Sequence, residues 1–236
     1  MASEGLEFPG QEGSPDWEAL YLYRKDEVTP YRPIFTGDVF ASVLVEGLPR
    51  TVMILQHPCA LRIDGVTLVE RIPVVLVHEH RLLEQSEWRG NYRLMPLPAM
   101  GGEDDPLHYA GHFTDIVVVT QKMLDEGTRV ACLSPLGVNL ALQRWVFHNS
   151  RAAIPTHVYD KVTSPQYEEA DSIEEWVEVR AKKRVSFDQA TKEADAWLSD
   201  PGPSGISTRS LLEDPQYRKR IRTSMRKEAK RLNNLT

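Results

Sequence analysis

The stretch that decides the fold is Val39-Phe40-Ala41-Ser42-Val43-Leu44-Val45, whose residues alternate with the period of two that a β-strand requires. Glu46-Gly47-Leu48-Pro49 ends this strand. Thr51 to Leu55 then forms a continuous apolar run, which is typical of a strand buried on both faces. Asp64-Gly65 is a hairpin signal, and the apolar run Ile72 to Val77 follows it. Short strands this close together, with no helix between them, predict an antiparallel sheet.

Further strands are predicted downstream, at residues 92–97, 115–120 and 128–133. Ser134-Pro135 then has the character of a helix start, with Ser134 as the N-cap and Pro135 in the first turn. We therefore expect an α+β protein with a mainly β core. The expected core is an SH3-like antiparallel β-barrel over residues 17–155, with one helix near residues 135–149.

The two ends of the chain differ from this core in composition. Residues 1–16 are rich in Gly, Glu, Ser and Pro, and we expect them to form a disordered leader. Residues 156–236 predict a helical C-terminal region. Its last helix begins after Asp214-Pro215 and carries a narrow apolar stripe that includes Ile221 and Met225. The predicted last helix is therefore basic and amphipathic.

Overall composition excludes several classes of protein. Hydrophobic residues make up 41% of the chain and charged residues 26%, which is ordinary for a globular domain. No apolar run approaches the ~20 residues needed to cross a bilayer, and the first residues lack the basic start and apolar centre of a secretion signal. Two cysteines offer no disulfide framework. The sequence therefore predicts a cytoplasmic protein with no membrane partner.

The net charge of −6 hides an asymmetry along the chain. From Ser207 to the end there are nine basic and three acidic residues, a net charge of +6, whereas the remainder carries −12. A basic arm on an acidic body fits two arrangements, since it can bind a polyanion or fold back onto the body. For the first arrangement, the predicted nucleic-acid-binding residues are those on the last helix: Arg218, Lys219, Arg222 and Arg226.

Two groups of side chains have the residue types of metal ligands. His57, Cys59, His78 and His80 are the types that zinc prefers, but their spacing differs from the common zinc motifs. The favoured interpretation is a cysteine at a strand end with exposed histidines beyond it, and an activated Cys59 thiol is a further alternative. The second group, Glu103-Asp104-Asp105 with His108 and His112, is interpreted as a solvated loop because glycines and a proline surround it. We predict no metal and no cofactor.

Several of these motifs together resemble the start of the PemK/MazF-like β-barrel proteins. They are Gly37-Asp38-Val39-Phe40, then Arg50 before the run Val52 to Leu55, and the later strand Ile72 to Val77. The chain is also similar to uncharacterised bacterial and phage proteins with a GDVF start followed by a cysteine motif, here His57-Pro58-Cys59. The resemblance implies a PemK-like barrel, commonly dimeric, that acts as an endoribonuclease toxin.

The same resemblance implies roles for individual residues. The family's arginine after the first hairpin falls on Arg50, and its later hydroxyl residue falls near His78. Two departures stand out: Thr51 occupies the position where the family commonly has proline, and a histidine replaces the hydroxyl residue. An imidazole can move a proton in phosphodiester cleavage, and a guanidinium can offset the charge that develops on the phosphate.

Two functions follow as hypotheses from different classes. The leading one is a nucleic-acid-directed protein of the toxin or phage-defence kind, with RNA or DNA as its partner. If it is an endoribonuclease, we expect Arg50, His57 and His78 to be catalytic. The alternative is a non-catalytic interaction module, in which the barrel is a scaffold and the last helix docks on a protein partner or a second copy of the chain.

Overall fold

The computed structural model describes residues 5–11, 13–63, 66–102 and 105–234. The chain divides into two compact units: Met1–Val28 with Phe35–Thr163, and Thr29–Ile34 with Ser164–Thr236. The expected boundary between residues 155 and 156 differs from the observed division, which falls between Thr163 and Ser164 and also assigns the segment Thr29–Ile34 to the second unit. The hairpin signal at Asp64-Gly65 lies outside the described residues, as do Glu103 and Asp104.

The first unit is built on a seven-stranded sheet in which every pairing is antiparallel. A separate hairpin of two short strands, β1 and β2, precedes this sheet. In chain order, the strands are β1 (Gly10–Gln11), β2 (Ser14–Pro15), β3 (Tyr21–Arg24), β4 (Val39–Val45), β5 (Leu48–Ile54), β6 (Ile72–His80), β7 (Leu94–Leu97), β8 (His108–Val119) and β9 (Thr128–Leu133). Their order across the sheet is β3-β9-β4-β5-β6-β8-β7.

Helices lie between the strands and dominate the second unit. Three single turns of 3-10 helix, at Glu18–Leu20, Lys25–Glu27 and Gly202–Ser204, supplement them. The α-helices are α1 (Pro58–Leu61), α2 (Gln85–Gly90), α3 (Gln121–Asp125), α4 (Pro135–Ser150), α5 (Thr156–Ala181), α6 (Phe187–Ser199), α7 (Thr208–Leu211) and α8 (Pro215–Asn233). The helix expected near residues 135–149 is α4, and the Ser134 side chain accepts a hydrogen bond from the Gly137 amide as its N-cap.

The hairpin between β4 and β5 follows from local sequence. Val45 pairs with Leu48 across a two-residue loop, and the loop residues Glu46 and Gly47 have φ angles of 53° and 78°. A two-residue loop with positive φ at both positions matches the twist of the flanking strands. In β5, Val52, Met53 and Ile54 are at most 1% exposed, so this strand is buried on both faces as its apolar run predicted.

The α+β class and the antiparallel sheet are confirmed by the structure. Among the described strands, β3 and β7 are the two edges of the sheet, and no strand pairing joins one to the other. A closed barrel is therefore not observed. The middle of the sheet, by contrast, is continuous, because β4, β5, β6 and β8 pair in succession.

The segment predicted to be a disordered leader is packed wherever the structure describes it. Leu6 is 2% exposed, and the carboxylate of Glu7 accepts hydrogen bonds from the amide and the hydroxyl of Thr156 at 2.8 and 2.6 Å. The first of these contacts satisfies a backbone donor at the start of α5, which a helix cannot satisfy internally. The expectation of disorder is wrong for residues 5–11 and 13–16, because an apolar side chain and a helix-capping carboxylate hold the segment in place.

The second unit has its own apolar core. Ile221, Met225 and Ala229 of α8 are at most 5% exposed and belong to a cluster with residues of α5 and α6, which include Trp176 and Leu198. The guanidinium of Arg32 also lies inside this unit, 2.7 Å from Asp171 and 2.8 Å from Glu174. The narrow apolar stripe predicted on the last helix is therefore the face that packs into this core.

Candidate active site

The strand register relates two of the three predicted catalytic residues and leaves the third at the other end of β5. Thr51 of β5 pairs with Val77 of β6, so continuing the register by one residue sets Arg50 beside His78. Residues opposite each other in an antiparallel pair share a face of the sheet. His57 follows the other end of β5, beyond Ile54, which pairs with Val74. The residues from Thr51 to Ile54 already span about 10 Å.

His57 has a local structural role at its own end of the strand. It is the N-cap of α1, and its Nδ1 atom accepts a hydrogen bond from the amide of Cys59 at 3.2 Å. Partial burial lowers the pKa of His57. An imidazole that caps a helix through one nitrogen is already committed to a structural contact. The prediction that His57 joins Arg50 and His78 is therefore wrong, because these residues lie toward opposite ends of the β5–β6 pair.

Cys59 does not have the surroundings of an activated thiol. Its sulfur lies 3.8 Å from the carbonyl oxygen of Val162. Partial desolvation raises the pKa of the Cys59 thiol, although a hydrogen bond from its own backbone opposes this. A nucleophilic cysteine needs the opposite shift, because the thiolate is the reactive form.

The pairing of β6 with β8 brings His78 together with histidines that are distant in sequence. His78 pairs with Ala110, and His80 pairs with His108. Because alternate residues of a strand share a face, His78, His80, Ala110 and His112 all belong to one face of the sheet. The small side chain of Ala110 leaves room between its neighbours. We refer to His78, His80, His112 and Asp115 as the histidine cluster.

Contacts between the rings define this cluster. The ring centroids of His78 and His112 are 5.0 Å apart with the planes perpendicular, and those of His80 and His112 are 6.2 Å apart. The Nε2 atom of His78 lies 3.4 Å from a carboxylate oxygen of Asp115, within ion-pair distance when the imidazole is protonated. The side chains of His78 and Asp115 are 41% and 44% exposed, so solvent and a ligand can reach this part of the cluster.

An irregularity in β8 produces this arrangement. Val75 pairs with Ile116 while Val77 pairs with Gly111, so β8 has three more residues than β6 between these two pairs. Extra residues in one strand bend it and redirect its side chains, and such irregularities are common beside functional sites. Phe113 anchors the bend: it is 2% exposed, and its ring centroid is 5.5 Å from that of Trp145 in α4.

In the same region, the backbone of β8 lies close to side chains of β5 and β6 at Gly111. A Cβ atom on Gly111 would lie 2.9 Å from a methyl carbon of Val75 and 3.2 Å from the Cε atom of Met53. Real side chains avoid contacts this short, so a glycine is required for β8 to lie this close to β6. Gly111 was counted among the loop-forming residues in the sequence. In the structure it lies inside a strand.

Burial and charge lower the pKa of His112. Burial is the largest cause, repulsion from His78 adds to it, and attraction to Asp115 partly opposes it. The Nε2 atom of His112 is buried and has no hydrogen-bond partner among the described residues. A protonated ring would leave a charged N–H group unsatisfied at that position. His112 is therefore a neutral imidazole beside one that has a carboxylate partner.

In the sequence, the histidines of this cluster belong to two separate motifs. His78-x-His80 was grouped with His57 and Cys59, while His108 and His112 were assigned to a loop. In the structure His108–Val119 is one strand, so the loop interpretation is wrong for His108 and His112. Alternation within each strand was readable from sequence, but the pairing of β6 with β8 is a long-range contact. That pairing decides which histidines meet.

The zinc-type group considered from sequence is dispersed. His57 and Cys59 lie at α1, whereas His78 and His80 lie toward the end of β6. Among the residues that the structure describes, no group of three or more His, Cys, Asp or Glu side chains has an arrangement suited to a metal ion.

The four predicted nucleic-acid-binding residues have different surroundings within the second unit. Arg218 donates hydrogen bonds to the carbonyl of Leu212 and the hydroxyl of Ser164. Arg222 and Arg226 form ion pairs with carboxylates of α5: Arg222 with Glu168 and Asp171, and Arg226 with Glu175. Lys219 is exposed and has no ion-pair partner among the described residues.

Comparison with known proteins provides no relative for this chain: no family model, no curated protein and no solved structure matches it. In the part of the chain that the structure describes, no helix combines the length and the apolar character needed to span a bilayer.

Proposed function

We propose that the protein is an endoribonuclease whose histidine cluster cleaves RNA by general acid–base catalysis. The observation that supports this most is the pair of imidazoles, His78 and His112, in contact but in different environments. When the surroundings of two titratable groups differ in this way, the groups are suited to opposite roles as acid and base. His112 favours the neutral form, and His78 has a carboxylate beside it.

The proposed reaction is an in-line transfer at phosphorus. The Nδ1 atom of His112, rather than its buried Nε2 atom, takes the proton from the 2′-hydroxyl of the ribose, and the resulting oxygen attacks the adjacent phosphate. As that P–O bond forms, the bond from phosphorus to the 5′-oxygen of the next nucleotide breaks. Protonated His78 gives its proton to this leaving oxygen. The products are a 2′,3′-cyclic phosphate and a free 5′-hydroxyl, and exchange with solvent returns both imidazoles to their starting states.

Two further residues assist these steps. The Asp115 carboxylate, 3.4 Å from the Nε2 atom of His78, orients this ring for the proton transfer. Arg50, beside His78 in the strand register, is exposed and has no partner among the described residues. Its guanidinium is free to bind the phosphate, where it offsets the negative charge that grows as phosphorus becomes five-coordinate.

The barrel and toxin-like character form part of the same proposal. The edges of the sheet are near each other: the Tyr21 hydroxyl in β3 donates to the carbonyl of Pro98 at 2.8 Å, and Arg24 donates to the carbonyl of Ala99 at 2.6 Å. Pro98 and Ala99 directly follow β7. These contacts support an incompletely closed barrel of the SH3-like or PemK-like kind, and therefore support the resemblance to PemK/MazF-like proteins.

A cleavage assay tests the proposal directly. Purified full-length protein is incubated with mixed single-stranded RNA in the presence of chelator, beside His78→Ala and Arg50→Ala. We expect products that end in a 2′,3′-cyclic phosphate from the native protein and a loss of at least about 100-fold in both variants. His57→Asn is the matched control, because asparagine retains the N-cap and the residue lies outside the cluster.

The outcomes separate the enzyme from the interaction module. Equal background cleavage by the native protein and His78→Ala would refute the proposed mechanism. Loss of cleavage in His57→Asn, with His78→Ala still active, would show that the catalytic site lies at the other end of β5. A native protein that cuts no RNA but forms a specific complex lost on truncation after Asp214 would establish the non-catalytic module instead.

A further inference from the structure

The basic residues of α8 divide into two sets by whether they have a carboxylate partner. Three of its arginines form ion pairs with carboxylates of the second unit: Arg222 and Arg226 with α5, and Arg231 with Glu228 of α8 itself. The buried stripe of Ile221, Met225 and Ala229 adjoins Arg222 and Arg226. The positive charge of the paired arginines is thus largely offset by their own partners.

Apart from Arg218, which donates hydrogen bonds to Leu212 and Ser164, the remaining cations of α8 lie near one side of the helix. Lys219, Arg220, Lys227 and Lys230 are exposed and have no carboxylate partner among the described residues. At 100° per residue these positions fall within one third of the helix circumference. Gln216, Thr223 and Ser224 lie on the same side, and six of these seven residues line one shallow depression. We call this side, comprising residues 216, 219, 220, 223, 224, 227 and 230, the outer face of α8.

The outer face has the chemistry of a phosphate-binding surface. Four unpaired cations lie along twelve helical residues, a length of about 17 Å. Their neighbours are a carboxamide and two hydroxyls, which also donate hydrogen bonds to phosphate oxygens. The face has no apolar side chain that a lipid surface would bury, and a basic helix that lies on a membrane needs such residues. Charge complementarity therefore favours a nucleic-acid backbone.

We propose that the outer face of α8 binds the phosphates of single-stranded RNA, through Lys219, Arg220, Lys227 and Lys230. The choice of RNA as the polyanion rests on the proposed function. The placement of the surface does not, because it follows from which cations the unit leaves unpaired. Binding to phosphates releases condensed counterions, so the affinity falls as the salt concentration rises. Four contacts to a single strand correspond to a slope of log K against log salt of about −2.8.

The test uses the full chain and a short fluorescent 2′-O-methyl RNA strand. This strand has no 2′-hydroxyl nucleophile, so the mechanism proposed for the histidine cluster cannot cleave it. Fluorescence anisotropy over a series of potassium chloride concentrations compares Lys219→Gln/Lys227→Gln with Arg226→Gln/Arg231→Gln. Each pair removes two positive charges from α8, but only the first pair removes unpaired ones. Thermal unfolding of each variant monitors the fold.

We expect the lysine pair to weaken binding and to change the slope from about −2.8 to about −1.4. The arginine pair should leave both quantities close to those of the native protein. Arg220→Gln/Lys230→Gln is a second outer-face pair with the same expected result, so the conclusion does not depend on one variant. Equal effects of the lysine and arginine pairs would overturn the proposal, as would no effect of either.

Two further results separate this proposal from neighbouring ones. Binding to vesicles that contain anionic lipid, with none to the RNA strand, would overturn it in favour of a membrane surface. RNA cleavage that depends on His78, together with strand binding that is insensitive to the lysines, would overturn this proposal alone. Strand binding that depends on the lysines, without any RNA cleavage, would support the outer face and refute only the proposed endoribonuclease.

Discussion

The histidine cluster and the outer face of α8 are assembled in opposite ways. The cluster joins side chains from β6 and β8, about 30 residues apart in sequence, and depends on the irregular register between these strands. The outer face comes from one helix, and its members are neighbours because of the 3.6-residue period. A site made across strands is sensitive to register, whereas a surface made along a helix is sensitive only to which residues find partners.

The largest expected effect separates chemistry from binding. His78→Ala should reduce RNA cleavage by about 100-fold to 10,000-fold, the usual contribution of a general acid or base. The same variant should bind the uncleavable strand as the native protein does. Lys219→Gln/Lys227→Gln should show the converse, with weaker binding and an unchanged rate constant at saturating RNA. Single-turnover cleavage and anisotropy on the same preparations measure both. A variant that loses both activities would contradict the independence of the two regions.

A core substitution in α8 tests whether the helix has to be packed for its outer face to exist. Met225 is 1% exposed in the core of the second unit. Met225→Ala should lower the free energy of unfolding by about 2–5 kcal/mol, because it removes buried methylene groups and leaves a cavity. Urea denaturation followed by circular dichroism measures this change. Ser224→Ala, an exposed position on the same helix, is the control, and a comparable loss there would show that α8 is not packed as described.

Acid pH should act on the first unit through His112. Burial lowers its pKa in the folded protein, so protonation favours unfolding, and this contribution to stability is lost as pH falls below the ordinary histidine value. Cleavage should decline over the same acid range because the proposed base becomes protonated. Ring-proton NMR measures the titration of His112. Since repulsion from His78 contributes to the shift, His78→Gln should raise the pKa of His112. A midpoint above that of a solvated histidine would contradict this environment.

The smallest expected effect concerns the ion pair between Arg226 of α8 and Glu175 of α5. The Arg226 side chain is 54% exposed and its ion pair with Glu175 lies near the surface. Arg226→Gln should therefore change the free energy of unfolding by less than about 1 kcal/mol, because surface ion pairs are weak. Chemical denaturation at low and high salt measures this change. A loss of several kcal/mol would mean that the pair is far more important to the second unit than its exposure suggests.

Part of the fold was predictable because its causes are local. The alternation in Val39–Val45 and the apolar run ending at Ile54 predicted β4 and β5. Ser134 and Asp214 are helix N-caps, as their positions before Pro135 and Pro215 indicated. In each case a few adjacent residues restrict the backbone strongly enough to decide the element.

Other predictions failed where a distant contact overrides the local pattern. His108-Tyr109-Ala110-Gly111 was interpreted as loop because of nearby glycines and a proline, yet it pairs with β6 and β7 on its two sides. The described part of the leader is ordered because Leu6 is buried and Glu7 forms hydrogen bonds with residues more than 130 positions away. Glycine and proline signals describe what a chain can do alone, and long-range pairing can still extend a strand through them.

For the candidate sites, the sequence shows the type of each residue but not which side chains lie next to it in space. The sequence alone predicted His78 as a candidate proton carrier and Arg50 as a candidate phosphate ligand, and it indicated a basic, amphipathic last helix. In the tertiary structure the side chains beside His78 are those of His112 and Asp115, since only strand register decides which side chains face one another across a sheet. The tertiary structure also shows which cations of α8 are paired and which are not, because an ion pair forms only where a carboxylate lies within a few ångströms of the cation. Local periodicity arises within one segment of chain, but proximity between segments arises only when the whole chain packs.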